Sequence, residues 1–382
     1  MEPSKIPFPT ALTFNDVLLL PGYSDFSRSA INLETNLTQK IKLKIPFISA
    51  PMDTVTESGL AIALAKIGGI GIIHRNLTVN AQADEVKKVK TKKLLVGAAI
   101  GPSAGFEDRA RALTAAGVDV IVIDSAHGFT KSTVDTIRQI KKKYPKMQVI
   151  AGNIATYEGA LGLIRAGADG LRVGMGPGAI CTTRVISGMG VPQITAIRQT
   201  AKAANKAKIP IIADGGMASS GDFVKALAAG ASSVMMGGFF ASASESPGKK
   251  ITLTADQVPH RFKSIFNGND SFVFKEYRGM GSEAAMKRGA QIKSESEFHG
   301  KSYRDRTLIA EGVEGLVPVK GAVAELVDVA IGGIKSGFYY CGAKNISEMH
   351  KTARFIQITQ QSLAESHPHD ILVTNAGKSY TQ

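Results

Sequence analysis

"PIIADGGMASSGDFVKALAAGASSVMMGGFF", residues 210–240, is the stretch that decides the fold. It opens on an apolar run, "PIIADGG", passes through a stretch of helical periodicity, "SGDFVKALAAGA", and closes on a second apolar run, "SVMMGGFF". Neither run alternates apolar with polar residues, as a strand with one wet face would. A continuous run bounded by turn residues suits a strand buried on both faces of a parallel sheet. The unit therefore reads strand–helix–strand, and it recurs. Further runs are "IPFISAPM" (45–52), "GIGIIH" (69–74), "LLVGAAI" (94–100), "VDVIVIDSA" (118–126), "QVIAGNI" (148–154) and "GLRVGM" (170–175). Eight strands with helices between them predict an α/β fold, a (β/α)8 TIM barrel rather than an open sheet. "AAGVDV" (115–120), "RAGADG" (165–170) and "AAGASS" (228–233) each put a glycine ahead of the next strand, where it closes a helix. Residues 1–382 read as one barrel domain.

Composition narrows the function classes. With 44% hydrophobic and 20% charged residues the chain has material for a large core. The longest apolar runs are too short to cross a bilayer, so no membrane partner is expected. The start, "MEPSKIPFPT", lacks the basic-then-apolar pattern of a secretory leader. Two cysteines, Cys181 and Cys341, make no disulfide framework and point to a reducing cytoplasm. The net charge of +14 lies in lysine runs such as "DEVKKVKTKK" (84–93), "IKKKYPK" (140–146) and "AKAANKAK" (201–208). Such runs on helical segments read as solvated helix faces, with attraction of small anionic substrates as the second reading. No zinc-finger spacing or arginine–aromatic interleaving accompanies them, so nucleic acid is not the expected partner.

Two departures from the regular alternation locate a site. "GPGAICTTRVISGMGVPQ" (176–193) begins a long insert between the sixth and seventh strands, giving a catalytic loop at about 174–192. A long polar stretch, about 243–320, separates the eighth strand from the amphipathic helix at "AVAELVDVAIGGIKSG" and reads as a mobile flap. Both follow the C-terminal ends of strands, the face on which barrels of this kind keep their active sites. Strand ends there contribute Met52, Asp53, Asp124, Asn153, Asp214 and the pairs Gly215–Gly216 and Gly237–Gly238. Glycine pairs after strands seven and eight suit backbone N–H groups that bind a phosphate. Cys181, among glycine, threonine and Arg184, has the surroundings of a nucleophile, though a lone cysteine is also a common small filler. Cys341, in "FYYCGAK", fits the filler. "GMGPG" (174–178) is not a dinucleotide fingerprint, and "HPH" (367–369) has no third ligand for a metal.

The chain resembles the IMP dehydrogenase/GMP reductase family over nearly its whole length. The matching stretches are "LTFNDVLLLPGYS" (12–24), "PFISAPMDTVTE" (46–57), "GGIGIIHRN" (68–76), "VIDSAHG" (122–128), "AGNIAT" (151–156) and "GPGAICTTR" (176–184). They continue with "GVPQITAI" (190–197), "IADGG" (212–216), "YRGMGS" (277–282), "EGVEG" (311–315) and "ESHPHD" (365–370). The resemblance implies that Cys181 adds to purine C2, with Thr183 and Glu311 beside it. It implies NAD+ contacts at Asp124, Asn153, Gly174, Met175 and Gly176. Asp214 would hold the ribose, with Met52 and Ala179 also lining the nucleotide. Gly215, Gly216, Gly237, Gly238 and Tyr277 would surround the phosphate, and Gly279, Met280, Gly281 and Glu311 the base. Carbonyls of Gly176, Gly178 and Cys181 would bind a monovalent cation, K+, completed by Glu365, Ser366 and His367 of a neighbouring subunit in a homotetramer.

Three departures from the family pattern stand out. "VKKVKTKK" (86–93) alone joins the second helix to the third strand, where dehydrogenases usually carry a pair of CBS modules. Ala179 replaces a phosphate-binding serine, at a cost of about 0.5–1.5 kcal/mol for one hydrogen bond. The flap's usual Arg-Tyr pair is missing from "KRGAQIKSESEFHGKSYRDRTLIAEGVEG" (287–315), which leaves His299, Tyr303, Arg304 and Arg306 as candidate bases. The leading expectation is IMP oxidation to XMP. GMP reduction with NADPH is the second, and a silent nucleotide- or nucleic-acid-binding barrel the third.

Overall fold

The computed structural model describes residues 9–259, 262, 272–292, 309–371, 373 and 377, and the backbone of 297–298 and 301–302. The barrel strands are β1 (Phe47–Ser49), β2 (Ile70–Ile73), β3 (Val96–Ile100), β4 (Val120–Asp124), β5 (Gln148–Ile154), β6 (Gly170–Val173), β7 (Ile211–Asp214) and β8 (Ser233–Met236). All pair in parallel, and β8 returns to β1 to close the barrel. Every predicted run supplies one strand. Around them lie α1 (Ser58–Lys66), α2 (Val79–Lys90), α3 (Phe106–Ala115), α4 (Lys131–Lys143), α5 (Tyr157–Ala166), α6 (Gln193–Ala207) and α7 (Ser220–Ala228). No helix among the described residues is long and apolar enough to cross a membrane.

The continuous apolar runs are explained by two cores. Inside the barrel, Ile48, Ile70, Ile72, Ala99, Val120, Val122, Ile150, Ile212 and Met235 pack together. Their neighbours Ile73, Ala98, Ile121, Ile123, Val149 and Ala213 point outward against the helices. Successive strand residues face opposite ways, and both ways lead to apolar surroundings. Each fully buried large aliphatic side chain contributes about 1.5–3 kcal/mol.

The helices start where their caps dictate. The side chains of Thr78, Thr130, Thr156 and Ser219 accept backbone N–H groups in the first turns of α2, α4, α5 and α7. Each such cap is worth about 1 kcal/mol. At the far ends, Gly117, Gly167 and Gly230 all have positive φ, as the repeated "AG" pattern predicts.

The lower end of the barrel holds a feature that periodicity did not reveal. A hairpin, Thr35–Asn36 with Lys42–Leu43, pushes Leu37 and Leu43 into the inner core. Above it, two ionic latches join neighbouring strands. Lys90 Nζ donates to both oxygens of Asp119 at 2.8 Å, and Asp119 Oδ2 accepts the Val96 N–H at 2.9 Å. Lys141, Asp169 and Val149 repeat the arrangement between β5 and β6.

The described residues of the 243–320 stretch include regular elements. They contribute β9 (Lys250–Leu253), β10 (Phe272–Arg278) and β11 (Glu314–Pro318), which form an antiparallel sheet, and α8 (Glu283–Gln291). The amphipathic stretch after it is α9 (Val323–Cys341), packed on α7 and α1. The chain then returns as Phe355–Gln357 to pair with Val17–Leu19.

Candidate active site

The loop that carries Cys181 leaves β6 at Gly174 and is tied at its neck. Met175 bridges Val191, and Arg184 donates from Nη2 to the carbonyls of Val191 (2.8 Å) and Met175 (3.3 Å). Arg184 is therefore a loop staple, and its guanidinium is engaged with backbone. The Cys181 N–H returns to the Gly178 carbonyl at 3.0 Å, making a turn whose tip is the exposed Ala179.

That turn is woven into two segments more than ninety residues further along. Cys181 forms an antiparallel bridge with Gly312, Thr182 N–H donates to Glu311 O, and Val313 N–H donates to Ile180 O. Glu311 N–H in turn donates to Gly281 O. The backbone ladder brings three side chains into line. Cys181 Sγ lies 3.2 Å from Thr183 Oγ1, and Thr183 Oγ1 donates to Glu311 Oε2 at 3.0 Å. A thiol, a hydroxyl and a carboxylate in a chain can pass a proton from nucleophile to base. Cys181 is partly accessible, whereas Cys341 is buried and its thiol is pushed up by that burial. The composition-based distinction between the two cysteines is observed.

The rim of the barrel holds a row of buried charges. Arg172, on β6, donates from Nε to Asp214 at 2.9 Å and from Nη1 to Asp124. Arg75 meets the other oxygen of Asp124 at 3.2 Å. Asn153 Nδ2 reaches both Asp214 (2.8 Å) and the Gly174 carbonyl (2.9 Å). Burial opposes the Arg172 charge, and Asp214 and Asp124 outweigh it, so its pKa is raised. Asp124, Asn153 and Asp214 were expected here. Arg172 was not, although it lies inside the quoted run "GLRVGM".

A second cluster joins the first strand end to "YRGMGS". Arg278 grips the fully buried Asp53 carboxylate through Nε (3.0 Å) and Nη2 (2.6 Å). Asn76 donates to the same carboxylate at 2.8 Å. Burial raises the Asp53 pKa, but Arg278 and Asn76 more than offset it and hold the carboxyl below its usual range. The Asp53 N–H also points at Met280 Sδ, 3.4 Å away. In the chain this anchored arginine lies between Tyr277 and Met280. Sequence reading quoted both residues of the pair without joining them.

The two glycine pairs directly follow β7 and β8. Gly215 and Gly216 have φ of +81° and +78°, which turns the backbone after β7 in a way that side-chain-bearing residues resist. At Gly237 a Cβ would stand 2.5 Å from Tyr277 Oη and 2.9 Å from Met52 Sδ, so only glycine lets these three meet. The buried Tyr277 hydroxyl accepts the Gly238 N–H; burial and the nearby Asp214 push its pKa well up. It remains a neutral donor at physiological pH.

Other expected residues fall apart or out of view. Glu365, Ser366 and His367 are exposed at the end of the short helix Gln360–Glu365. His299, Tyr303, Arg304 and Arg306 lie outside the described residues. No cluster of His, Cys, Asp and Glu side chains suited to a metal occurs among the described residues. His367 and His369 are themselves exposed.

A family model described as the IMP dehydrogenase/GMP reductase domain matches residues 11–369. Inosine-5'-monophosphate dehydrogenase of Borreliella burgdorferi is 43% identical over 411 aligned positions, covering 94% of this chain and 97% of the relative. The enzyme of the same name from Cryptosporidium parvum is 41% identical over 414 positions, covering 97% and 98%. That from Aquifex aeolicus is 37% identical over 497 positions, with 97% of each chain covered. The longer alignment reflects extra length in the relative, while here α2 runs into β3 through five residues, 91–95. On these matches, and with the barrel, the cysteine loop and the glycine pairs in place, the chain belongs to the IMP dehydrogenase/GMP reductase family.

Proposed function

We propose that this protein oxidises inosine 5'-monophosphate to xanthosine 5'-monophosphate with NAD+ and water. The observation that carries the proposal is the Cys181–Thr183–Glu311 chain. Cys181 sulfur adds to C2 of the purine, making that carbon tetrahedral. The hydride then leaves C2 with its electron pair, and a thioimidate remains on Cys181. Water must attack that carbon and expel the sulfur, which requires a base. Thr183 stands between Cys181 and Glu311, so Glu311 can draw a proton from water through the threonine hydroxyl. This supplies water activation from residues in view, where the family's Arg-Tyr pair is missing.

NAD+ supplies the hydride acceptor. Asp124, half-buried at the rim, Asn153 and the backbone of Gly174, Met175 and Gly176 are the groups suited to hold it. Asp214 would bind the ribose hydroxyls. The Gly215–Gly216 and Gly237–Gly238 amides would bind phosphate with the Tyr277 hydroxyl, whose proton is retained. A K+ ion would be held by the carbonyls of Gly176, Gly178 and Cys181, of which that of Gly178 also accepts the Cys181 N–H. Three oxygens are too few for such an ion, and the exposed Glu365, Ser366 and His367 of a second copy would complete it in a homotetramer.

The same Thr183–Glu311 pair would also serve a reductase that releases ammonia from GMP, which makes GMP reduction the second reading. The relatives' names favour the dehydrogenase. Absorbance at 340 nm separates the two. With K+, IMP and NAD+, the expected result is NADH with XMP as product. NADPH consumption with GMP, and no NADH from IMP, would overturn the proposal in favour of the reductase.

A further inference from the structure

Lys275 is buried to 1% exposure on β10, yet its ammonium meets no carboxylate at hydrogen-bond distance among the described residues. Its neighbours are the carbonyls of Ala243 (2.9 Å), Ser244 (3.0 Å) and Ser246 (2.5 Å), and Ser246 Oγ (2.9 Å). An ammonium has three N–H donors, so four oxygens around it resemble the shell of a monovalent cation more than a set of ordinary hydrogen bonds. Burial and Lys250, its register partner on β9, push its pKa down to about 8, while Glu245 pulls the other way. It remains charged at neutral pH. A buried charge without a direct counter-ion is unfavourable to maintain, which asks for a reason.

The reason lies two residues along the strand. Lys275 and Tyr277 face the same side of β10, since side chains alternate. Tyr277 meets the first residue of the short helix Gly238–Ala241, and Lys275 grips the turn that follows that helix. One strand therefore holds the helix at both ends. The far side of the same turn is also anchored, because the Glu245 carboxylate accepts the Val323 N–H at the start of α9. The helix begins at the Gly237–Gly238 backbone, so any slack in the turn would be felt there.

We propose that Lys275 is a positioning residue for the nucleotide's phosphate, its ammonium fixing the 243–246 turn and, through it, the Gly237–Gly238 amides against the Tyr277 hydroxyl. The inference rests on the phosphate reading of that site given above.

The test uses the full chain, with IMP and with inosine, which lacks the phosphate. Lys275→Met keeps the stem and removes the charge. It is expected to lower kcat/KM for IMP about tenfold through KM, with kcat and the KM for NAD+ within about twofold, because small misplacements of binding groups are felt steeply. The value for inosine should not move. Equal losses for IMP and inosine, or no loss for IMP, would overturn the proposal. Ser246→Ala removes one of the four oxygens and leaves the charge in place, so it tests the same idea should Lys275→Met not fold. It is expected to raise the KM for IMP about threefold, as one hydrogen bond would. An unchanged KM there also overturns it. Wild-type protein that uses IMP no better than inosine would sink the phosphate reading itself; discrimination that survives both substitutions sinks the Lys275 proposal alone.

Discussion

The two ends of this barrel use the same chemistry for different purposes. At the lower end, Lys90–Asp119 and Lys141–Asp169 join neighbouring strands, and each aspartate also caps a strand through a backbone N–H. Every group in those latches is satisfied by its own surroundings. At the upper end, Arg172 is shared between Asp124 and Asp214, and Arg278 is held by Asp53. There Asp124 and Asp214 are partly exposed at the rim, whereas the Asp53 side chain is buried. The difference teaches that a buried ion pair says little by itself. Its place along the strand decides whether it serves stability or a ligand, as in barrels generally.

The sharpest way to break this contrast is at Cys181. Cys181→Ala is expected to lower kcat at least about 10³-fold, since no other group replaces the nucleophile. Calorimetry should still detect IMP binding. Full activity in that variant would remove the upper end from the chemistry altogether. Glu311→Gln comes next, with steady-state turnover expected to fall about 10²-fold, the range for a lost acid–base group. Rapid mixing should show a burst of NADH equal to the enzyme present, because hydride transfer precedes the water step. Loss of the burst together with the steady state would place Glu311 elsewhere in the sequence of events.

The Asp53–Arg278 pair tests whether the upper end also contributes to stability. Arg278→Met strands a fully buried carboxylate, and urea unfolding should show a loss of about 3–5 kcal/mol. The native pKa of Asp53 is lowered, so the pair contributes fully above the ordinary value of 3.8. That contribution is lost only as pH falls through the lowered native value. Acid unfolding of the variant should therefore begin at higher pH than that of the wild type. The smallest effects belong to the lower latches. Asp119→Asn and Asp169→Asn should each cost about 1 kcal/mol, because the pairs are partly exposed and one hydrogen bond survives. Both variants should keep kcat and KM. A latch variant with altered KM would erase the division between the ends.

Much of the upper end could be read from the chain. The apolar runs marked all eight strands, because burial on both faces leaves a local signature. The glycine pairs and the cysteine loop were legible for the same reason: a tight turn or a close approach needs particular residues next to one another. Arg172, Lys275 and the Asp53–Arg278 pair were not. Asp53 and Arg278 are 225 positions apart and meet where the segment after β1 reaches the end of β10, and nothing near either residue records that. The hairpin that plugs the barrel was missed because its apolar residues, Leu37, Ile41 and Leu43, each sit between polar neighbours. The flap candidates His299, Tyr303 and Arg304 lie outside the described residues, whereas Glu311, the base proposed above, is carried to Thr183 by the backbone ladder.

The two lower latches have a consequence beyond stability. Lys90 and Val96 belong to α2 and β3, and Asp119 immediately precedes β4; Lys141 and Val149 belong to α4 and β5, and Asp169 immediately precedes β6. The wall from α2 to β6 is thus one module written twice, each copy locked on itself. The seam between the copies is the segment 125–130, from the end of β4 to the start of α4. It follows the C-terminal end of β4, on the same end of the barrel as the proposed site. A graft at that seam would change what the rim recognises and leave both locks shut, so the architecture separates the place where novelty can enter from the place where the fold is secured.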